Sequence, residues 1–464
     1  MIEFYFKYSK KNYSTKVKEL INDIGKLLKL ENINICSSKQ TILDPSFKAN
    51  LKNEDWLLIN QLYNTIIINK DKVSESLIKY INKNNSKTHK YKFVDTFAGC
   101  GGLSLGLENT GFTPVLINEI ENKYLETYYF NHDINIEKYF CGDIKDLVDN
   151  KILIEQEFQD IDLVVGGPPC QGFSMANRQR IIDDPRNKLY KYFLELLSKT
   201  KPKFFLMENV KGMMKKSNEI IENFHEILGK EYTIDMVLLN AKDFGIPQNR
   251  ERVFVIGSRQ KNITASEIIK QILDEKVNVK KFFLKDALYG LPILEPKRIK
   301  NTNSIENNEI GFKFTLNKCP ENNFTKFINK NFTKILSNHI NRFNNERDIE
   351  IFSKLPQGAN SLHDSIKDIM PYSNRNHMFK DKYFKLNENE YSKTITSHMK
   401  YDCNMYIHPN QSRGLSPREA ARIQTFPDDY VFMGSKNNWY AQIGNAVPVK
   451  LAEIIGKNLI KHLK

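Results

Sequence analysis

One cysteine in this chain stands in a setting suited to chemistry. Gly166-Gly167-Pro168-Pro169-Cys170-Gln171-Gly172-Phe173-Ser174 follows the apolar run Leu163-Val164-Val165. Two glycines and two prolines make an extended, stiff loop. At the carboxyl end of a sheet strand, such a loop lies where open α/β sheets bind ligands. A thiol held there is accessible, and as a thiolate it attacks electron-poor carbon. The alternative is a small buried hydrophobe, which suits Cys36, Cys141, Cys319 and Cys403. A carboxyl follows at the end of the next apolar run, Phe205-Leu206-Met207-Glu208-Asn209-Val210. Glu208 thus falls on the same sheet edge as Cys170. Partly desolvated, it could hold a proton near neutral pH and serve as an acid; an N-cap or a salt-bridged acid is the plainer reading. Gln248, Arg250 and Arg252 alternate, which predicts one face of an entering strand. Two guanidiniums there suit a phosphate or a polarised carbonyl, although a solvated edge strand would look the same.

A second constellation lies earlier. Phe93-Val94-Asp95-Thr96-Phe97 runs into Ala98-Gly99-Cys100-Gly101-Gly102-Leu103. Glycines at a strand-to-helix turn let the backbone approach a ligand and aim helix N–H groups at it. Glu119 ends the next apolar run at a spacing that suits a carboxylate taking a ribose hydroxyl pair. Asp143 follows a third presumed strand. Together these describe an adenosine-binding half-sheet. The turn lacks the third glycine of a dinucleotide fingerprint, which disfavours a nicotinamide cofactor.

These residues need a layered scaffold. Short apolar runs (Phe93–Phe97, Val115–Ile117, Leu163–Val165, Phe204–Met207, Met236–Leu239, Val253–Ile256) alternate with helical patterns. Continuous apolar runs of that length suit strands of a parallel sheet buried on both faces, in an α/β fold. Residues 1–88 read as a basic helical N-terminal extension closed by a polar linker. Residues 89–258 carry the strand–helix rhythm, 259–410 form a separate irregular lobe, and 411–464 return to helical order. With 464 residues, 40% hydrophobic and 11% aromatic, the chain is not disordered. Its net charge is +14, unevenly spread. Residues 91–258 hold 20 basic against 25 acidic side chains, while 259–410 hold 25 against 17. A basic lobe beside an acidic block suits a polyanion partner. No apolar run is long enough for a membrane span, and the N-terminus lacks the order of a signal peptide. Six scattered cysteines without a C-x-x-C pair imply neither a disulfide framework nor a metal site. A cytoplasmic chain is the expectation.

In this order the motifs resemble the DNA cytosine-5 methyltransferase family, of the bacterial restriction-modification type. Phe97-Ala98-Gly99-Cys100-Gly101-Gly102 is similar to its cofactor loop and Pro168-Pro169-Cys170-Gln171 to its nucleophile loop. Glu208-Asn209-Val210 and Gln248, Arg250, Arg252 match two further motifs. Arg418-Glu419-Ala420-Ala421-Arg422-Ile423-Gln424-Thr425-Phe426-Pro427 and Gln442-Ile443-Gly444-Asn445-Ala446-Val447-Pro448 match the last two. The resemblance implies a Rossmann-like methyltransferase sheet, with 259–410 as the target recognition domain and a C-terminal helix packing back on the cofactor half. It implies S-adenosylmethionine as cofactor, held by Phe97, Gly99, Gly101, Gly102, Leu103, Glu119, Ile120, Asp143, Ile144, Pro168, Leu189, Asn445 and Val447. It implies Cys170, Glu208, Arg250 and Arg252 as the catalytic set. Gln171, Ser174, Gln248 and Thr394 are its DNA contacts. Double-stranded DNA is then the partner and the chain a monomer, with a companion restriction endonuclease related by function. An RNA cytosine-5 methyltransferase, a catalytically inactive DNA-binding regulator and a nicotinamide-dependent oxidoreductase are the rival readings.

Overall fold

The computed structural model describes residues 90–132, 134, 138–169, 188–300, 306–329, 335–371 and 382–463. Strand β1 (Lys92–Thr96) leads to α1 (Gly102–Glu108), β2 (Thr113–Glu119), α2 (Asn122–Asn131) and β3 (Tyr139–Cys141). Next come α3 (Ile144–Asp149), α4 (Lys151–Glu157), β4 (Leu163–Gly166), α5 (Lys188–Thr200) and β5 (Phe204–Val210). Then α6 (Ser217–Leu228), β6 (Thr233–Asn240) and β7 (Glu251–Ser258) complete a seven-stranded sheet in the order β3-β2-β1-β4-β5-β7-β6.

The strands from β1 to β5 pair in parallel. Strand β7 instead runs antiparallel to both β5 and β6. The run Val253–Ile256 was expected in a parallel sheet. The link from β6 to β7 is too short for a helical crossover, so the chain doubles back. The apolar runs are continuous because each strand buries alternate side chains in two different cores. Phe93, Val165, Leu206, Phe254 and Ile256 enter one core, and Val94, Val164, Phe205, Val253 and Val255 the other.

The C-terminal half adds α7 (Ala265–Asp274), α8 (Leu284–Leu288), β8 (Gly311–Leu316), α9 (Asn323–Ile328), β9 (Ile335–Ile340) and α10 (Glu346–Lys354). It closes with α11 (Pro417–Ile423), α12 (Lys436–Asn445) and α13 (Val449–Ile460). Strands β8 and β9 form a separate antiparallel pair. Helix α7 opens with a Thr264–Glu267 capping box and buries Ile268, Ile269 and Ile272 in the first sheet core. The strand–helix rhythm therefore runs on past residue 258 before the lobe begins. Helix α13 packs on α1, with Leu451, Ala452, Ile455 and Leu459 joining Leu103 and Leu107. The contact is so close that a Cβ on Gly102 would lie 2.7 Å from the Val447 carbonyl.

A third core joins the lobe to the C-terminal segment. Phe282, Phe324, Ile340, Ile395 and Met399 share it with Ile423, Phe426, Trp439 and Ile443. Buried arginines lock this junction. Arg418 donates to the Ser337 and Tyr430 carbonyls, and Arg422 makes two hydrogen bonds to Asp428, at 2.7 and 2.9 Å. Planar guanidiniums suit such fixed multidentate bonding. Among the described residues no helix is long and apolar enough to cross a membrane.

Candidate active site

The carboxyl ends of β1, β2, β4 and β5 open onto a cavity of about 510 Å³. That is the edge at which α/β sheets bind ligands, and the volume suits a small molecule. Phe97, Gly99, Gly102 and Leu103 form one wall, and Glu119, Ile120, Asp143 and Ile144 a second. Pro168, Leu189, Glu208 and Arg252 form a third, and Asn445 and Val447 close it from the C-terminal segment. Cys170, Gln171 and Ser174 lie outside the described residues, as does the N-terminal extension.

Local chemistry explains how each wall is held. Glu119 accepts the Gly99 N–H at 2.8 Å on one oxygen and the Glu121 N–H at 3.0 Å on the other. It therefore braces the glycine turn, and a carboxylate's four acceptor sites leave it capacity for a further donor. Burial pushes its carboxyl above the usual range. Asp143 caps α3 by accepting the Lys145 N–H at 2.9 Å. Gly101 does not line the cavity. It sits at φ 88° as the N-cap of α1, and a Cβ there would strike the His132 ring, so it shapes the turn. Ile120 stands 64% exposed on the cavity wall, an open apolar surface.

The antiparallel β5–β7 register pairs Val210 with Arg252 and Glu208 with Phe254. Glu208 and Arg252 are thereby diagonal neighbours on one face, with Arg252 Nε 2.9 Å from Glu208 Oε1. Glu208 is 14% exposed. Burial raises its pKa and the two arginines pull it back, the upward effect prevailing. Asn209 donates to the Pro168 carbonyl at 3.0 Å, tying the end of β5 to the loop that leads into Cys170.

Arg250 and Gln248 are placed differently from the sequence expectation, because β7 begins only at Glu251. Arg250 is fully buried and donates to the carbonyls of Ile395 (2.6 Å), Gly444 (3.1 Å) and Ala446 (3.0 Å). Gln248 is also buried; it accepts the Ile395 N–H at 2.7 Å and donates to Gln424 at 2.8 Å. Thr394 donates to the Asn249 carbonyl at 2.7 Å. None of the three lines the cavity. They knit four segments together, and the knot holds in place Thr396, Ser397, Gly444 and Ala446, which do line it.

Sequence reasoning missed Asp95, Asn118, Tyr124 and Gln442 on the wall. Asp95 had a legible signal, a lone acid inside an otherwise apolar strand. Asn118 is held by donating to the Phe140 and Gly142 carbonyls, a contact with no local sequence pattern. Cys319 and Cys403 are buried free thiols, while Cys141 is half-buried.

The lining suits a cationic nucleoside. Four carboxyls, from Asp95, Glu119, Asp143 and Glu208, face the cavity against one guanidinium, Arg252, which is already paired. A family model described as C-5 cytosine-specific DNA methylase matches residues 91–461. The type II methyltransferase M1.HphI of Haemophilus parahaemolyticus is 32% identical over 416 residues, covering 88% of this chain and 96% of that protein. The type II methyltransferase M.FnuDI of Fusobacterium nucleatum is 33% identical over 388 residues, covering 80% and 95%. A solved E. coli structure described as a DNA modification methyltransferase encoded within a prophage superposes with a TM-score of 0.61. It is 28% identical and matched over 80% of this chain and 99% of its own.

Proposed function

This chain belongs to the C-5 cytosine-specific DNA methylase family, and we propose that it methylates carbon 5 of a cytosine within a specific double-stranded DNA sequence. The observation that carries this reading is a single cavity. Glu208 and Arg252 share it with the glycine turn and the acids that suit an adenosine.

The residues present fit S-adenosylmethionine. Glu119 has acceptor capacity for ribose hydroxyls, the Asp143 carboxylate caps the far wall, and Ile120 offers an apolar face to a base. Phe97, Gly99, Gly102, Leu103, Ile144, Pro168, Leu189, Asn445 and Val447 complete the enclosure. When bound, S-adenosylmethionine supplies an electrophilic methyl carried on a sulfonium, the group that C5 accepts.

Carbon 5 of cytosine is a poor nucleophile, and this chain's residues change that. The Cys170 thiolate adds to C6 and turns the ring into an enamine with electron density at C5. Glu208, whose carboxyl burial raises above the usual range, donates toward N3 and offsets the charge that this attack creates. Arg252 fixes the Glu208 carboxyl and presents its remaining donors to the base. After transfer, loss of the C5 proton and expulsion of the thiol restore the ring. A stacked base cannot reach this cavity, so the cytosine must leave the duplex. The basic lobe grips phosphates, and its side chains select the sequence. Such a mark would shield the site from a companion endonuclease. Bisulfite sequencing of DNA from cells expressing the protein tests the reading. Protected cytosines should recur in one sequence context, and a uniformly converted genome would reject it.

A further inference from the structure

Asp95 has no part in the chemistry above, yet it is 2% exposed and lines the cavity from the middle of the sheet. Its backbone lies between Ile117 of β2 and Val165 of β4. The Ser104 hydroxyl of α1 donates to it at 2.5 Å. The charged groups around it are mostly acidic. Glu108 of α1 and Glu119 of β2 repel its negative form, and Tyr128 of α2 packs close by. His132, the C-cap of α2, bonds Glu108 and the Tyr430 hydroxyl. β4 contributes no titratable side chain (Leu163–Gly166). Across the cavity stand Asp143 and the Glu208–Arg252 pair. No unpaired cation among these groups stabilises an Asp95 carboxylate.

Building on the assignment of this cavity to S-adenosylmethionine, we propose that Asp95 is protonated in the free protein and releases its proton to solvent when the cofactor binds. It thereby makes the pocket prefer the cationic cofactor over the product S-adenosylhomocysteine, whose sulfur is neutral. The release is a plain acid dissociation: the Asp95 O–H bond breaks, the electron pair stays on the carboxylate and the proton goes to buffer. Burial first, then the nearby acids, push the Asp95 carboxyl up to about 8 in the ligand-free protein, and an opposite charge nearby reverses such a shift. A fixed sulfonium supplies that charge and a thioether does not. The two ligands share the adenosine and the amino-acid tail and differ in structure only at the sulfur.

Isothermal titration of the full chain at pH 7, in phosphate and in Tris, reads the proton directly. S-adenosylmethionine should show a binding enthalpy that shifts between buffers by close to one proton's ionisation heat, and S-adenosylhomocysteine close to none. Between pH 6 and 7 the preference for S-adenosylmethionine should rise nearly tenfold, as linkage to one released proton requires. Asp95→Asn, which keeps an acceptor for Ser104, should abolish both effects. A melting curve checks its folding, and the two-ligand comparison on the unaltered protein stands without it. Buffer-independent binding of S-adenosylmethionine, or equal release in Asp95→Asn, overturns the proposal. Failure of either ligand to bind would instead remove the cofactor assignment and the proposal with it.

Discussion

Replacing Arg250 by Met separates two roles for this residue. The sequence motif placed it with Arg252 on the substrate, whereas the structure gives its donors to the carbonyls of Ile395, Gly444 and Ala446. Met fills similar space but leaves three buried carbonyls without that donor, at a cost of about 1–3 kcal/mol each. Part is recovered, because burial disfavours the guanidinium and draws its pKa down to about 9. A net loss of about 3 kcal/mol is expected. At about 2.1 cal/mol/K per residue, the unfolding entropy of the 91–461 unit is roughly 0.8 kcal/mol/K, so the midpoint should fall by about 4 °C. The same change loosens Thr396 and Ala446 on the cavity wall, so S-adenosylmethionine affinity should fall as well. Thermal melts and calorimetric titration of the variant read both. A variant that melts as the parent does and binds S-adenosylmethionine normally, but turns over slowly, would refute the clamp and restore Arg250 to the substrate.

Glu119→Ala and Asp143→Ala should each weaken S-adenosylmethionine binding by about 1–3 kcal/mol while DNA affinity holds, as titration and gel shift would show. Asp95 also leaves a signature in stability. Well below the unfolded value of 3.8 its folded and unfolded forms are both protonated. As pH rises toward its folded value of about 8, only the unfolded chain gives up the proton, which weakens the fold by up to about 1.4 kcal/mol per pH unit. Asp95→Asn should therefore melt above the parent at pH 8, with the gap shrinking toward pH 5. Lys400 ends the turn Ser397–Lys400, whose first residue lines the cavity. Lys400→Ala should make the slope of log K for duplex DNA against log salt shallower by about 0.9. An unchanged slope would take Lys400 off the phosphates.

The sheet was legible because burial on both faces writes continuous apolar runs, and the cavity because its walls are strand ends followed by glycines or acids. Glu119, Asp143 and Glu208 could be placed from their position at or just past the end of an apolar run alone. The direction of β7 was not legible, since Val253–Ile256 is as apolar as its parallel neighbours. The surroundings of Arg250 and Gln248 were not legible for a related reason. Alternation says which residues share a face, not whether that face meets a ligand or 395 and 444–446 arriving from far along the chain. The lobe was harder still. One of its cores is completed by α11 and α12 from outside the lobe, a partnership that no period within its own stretch records. Arg418 and Arg422 stood out only through a motif resemblance, and nothing local in the sequence marks them as among the most deeply buried side chains.

The central claim is that this cavity serves a thiol that activates cytosine. Its most direct test is nucleoside mass spectrometry of duplex DNA treated with the protein and methyl-labelled S-adenosylmethionine, beside the Cys170→Ser variant. Labelled 5-methyl-2′-deoxycytidine should form with the parent and be absent with the variant, because a serine hydroxyl is far less ionised at neutral pH. Label in N4-methylcytosine or N6-methyladenine, or 5-methylcytosine made equally well by Cys170→Ser, would contradict it.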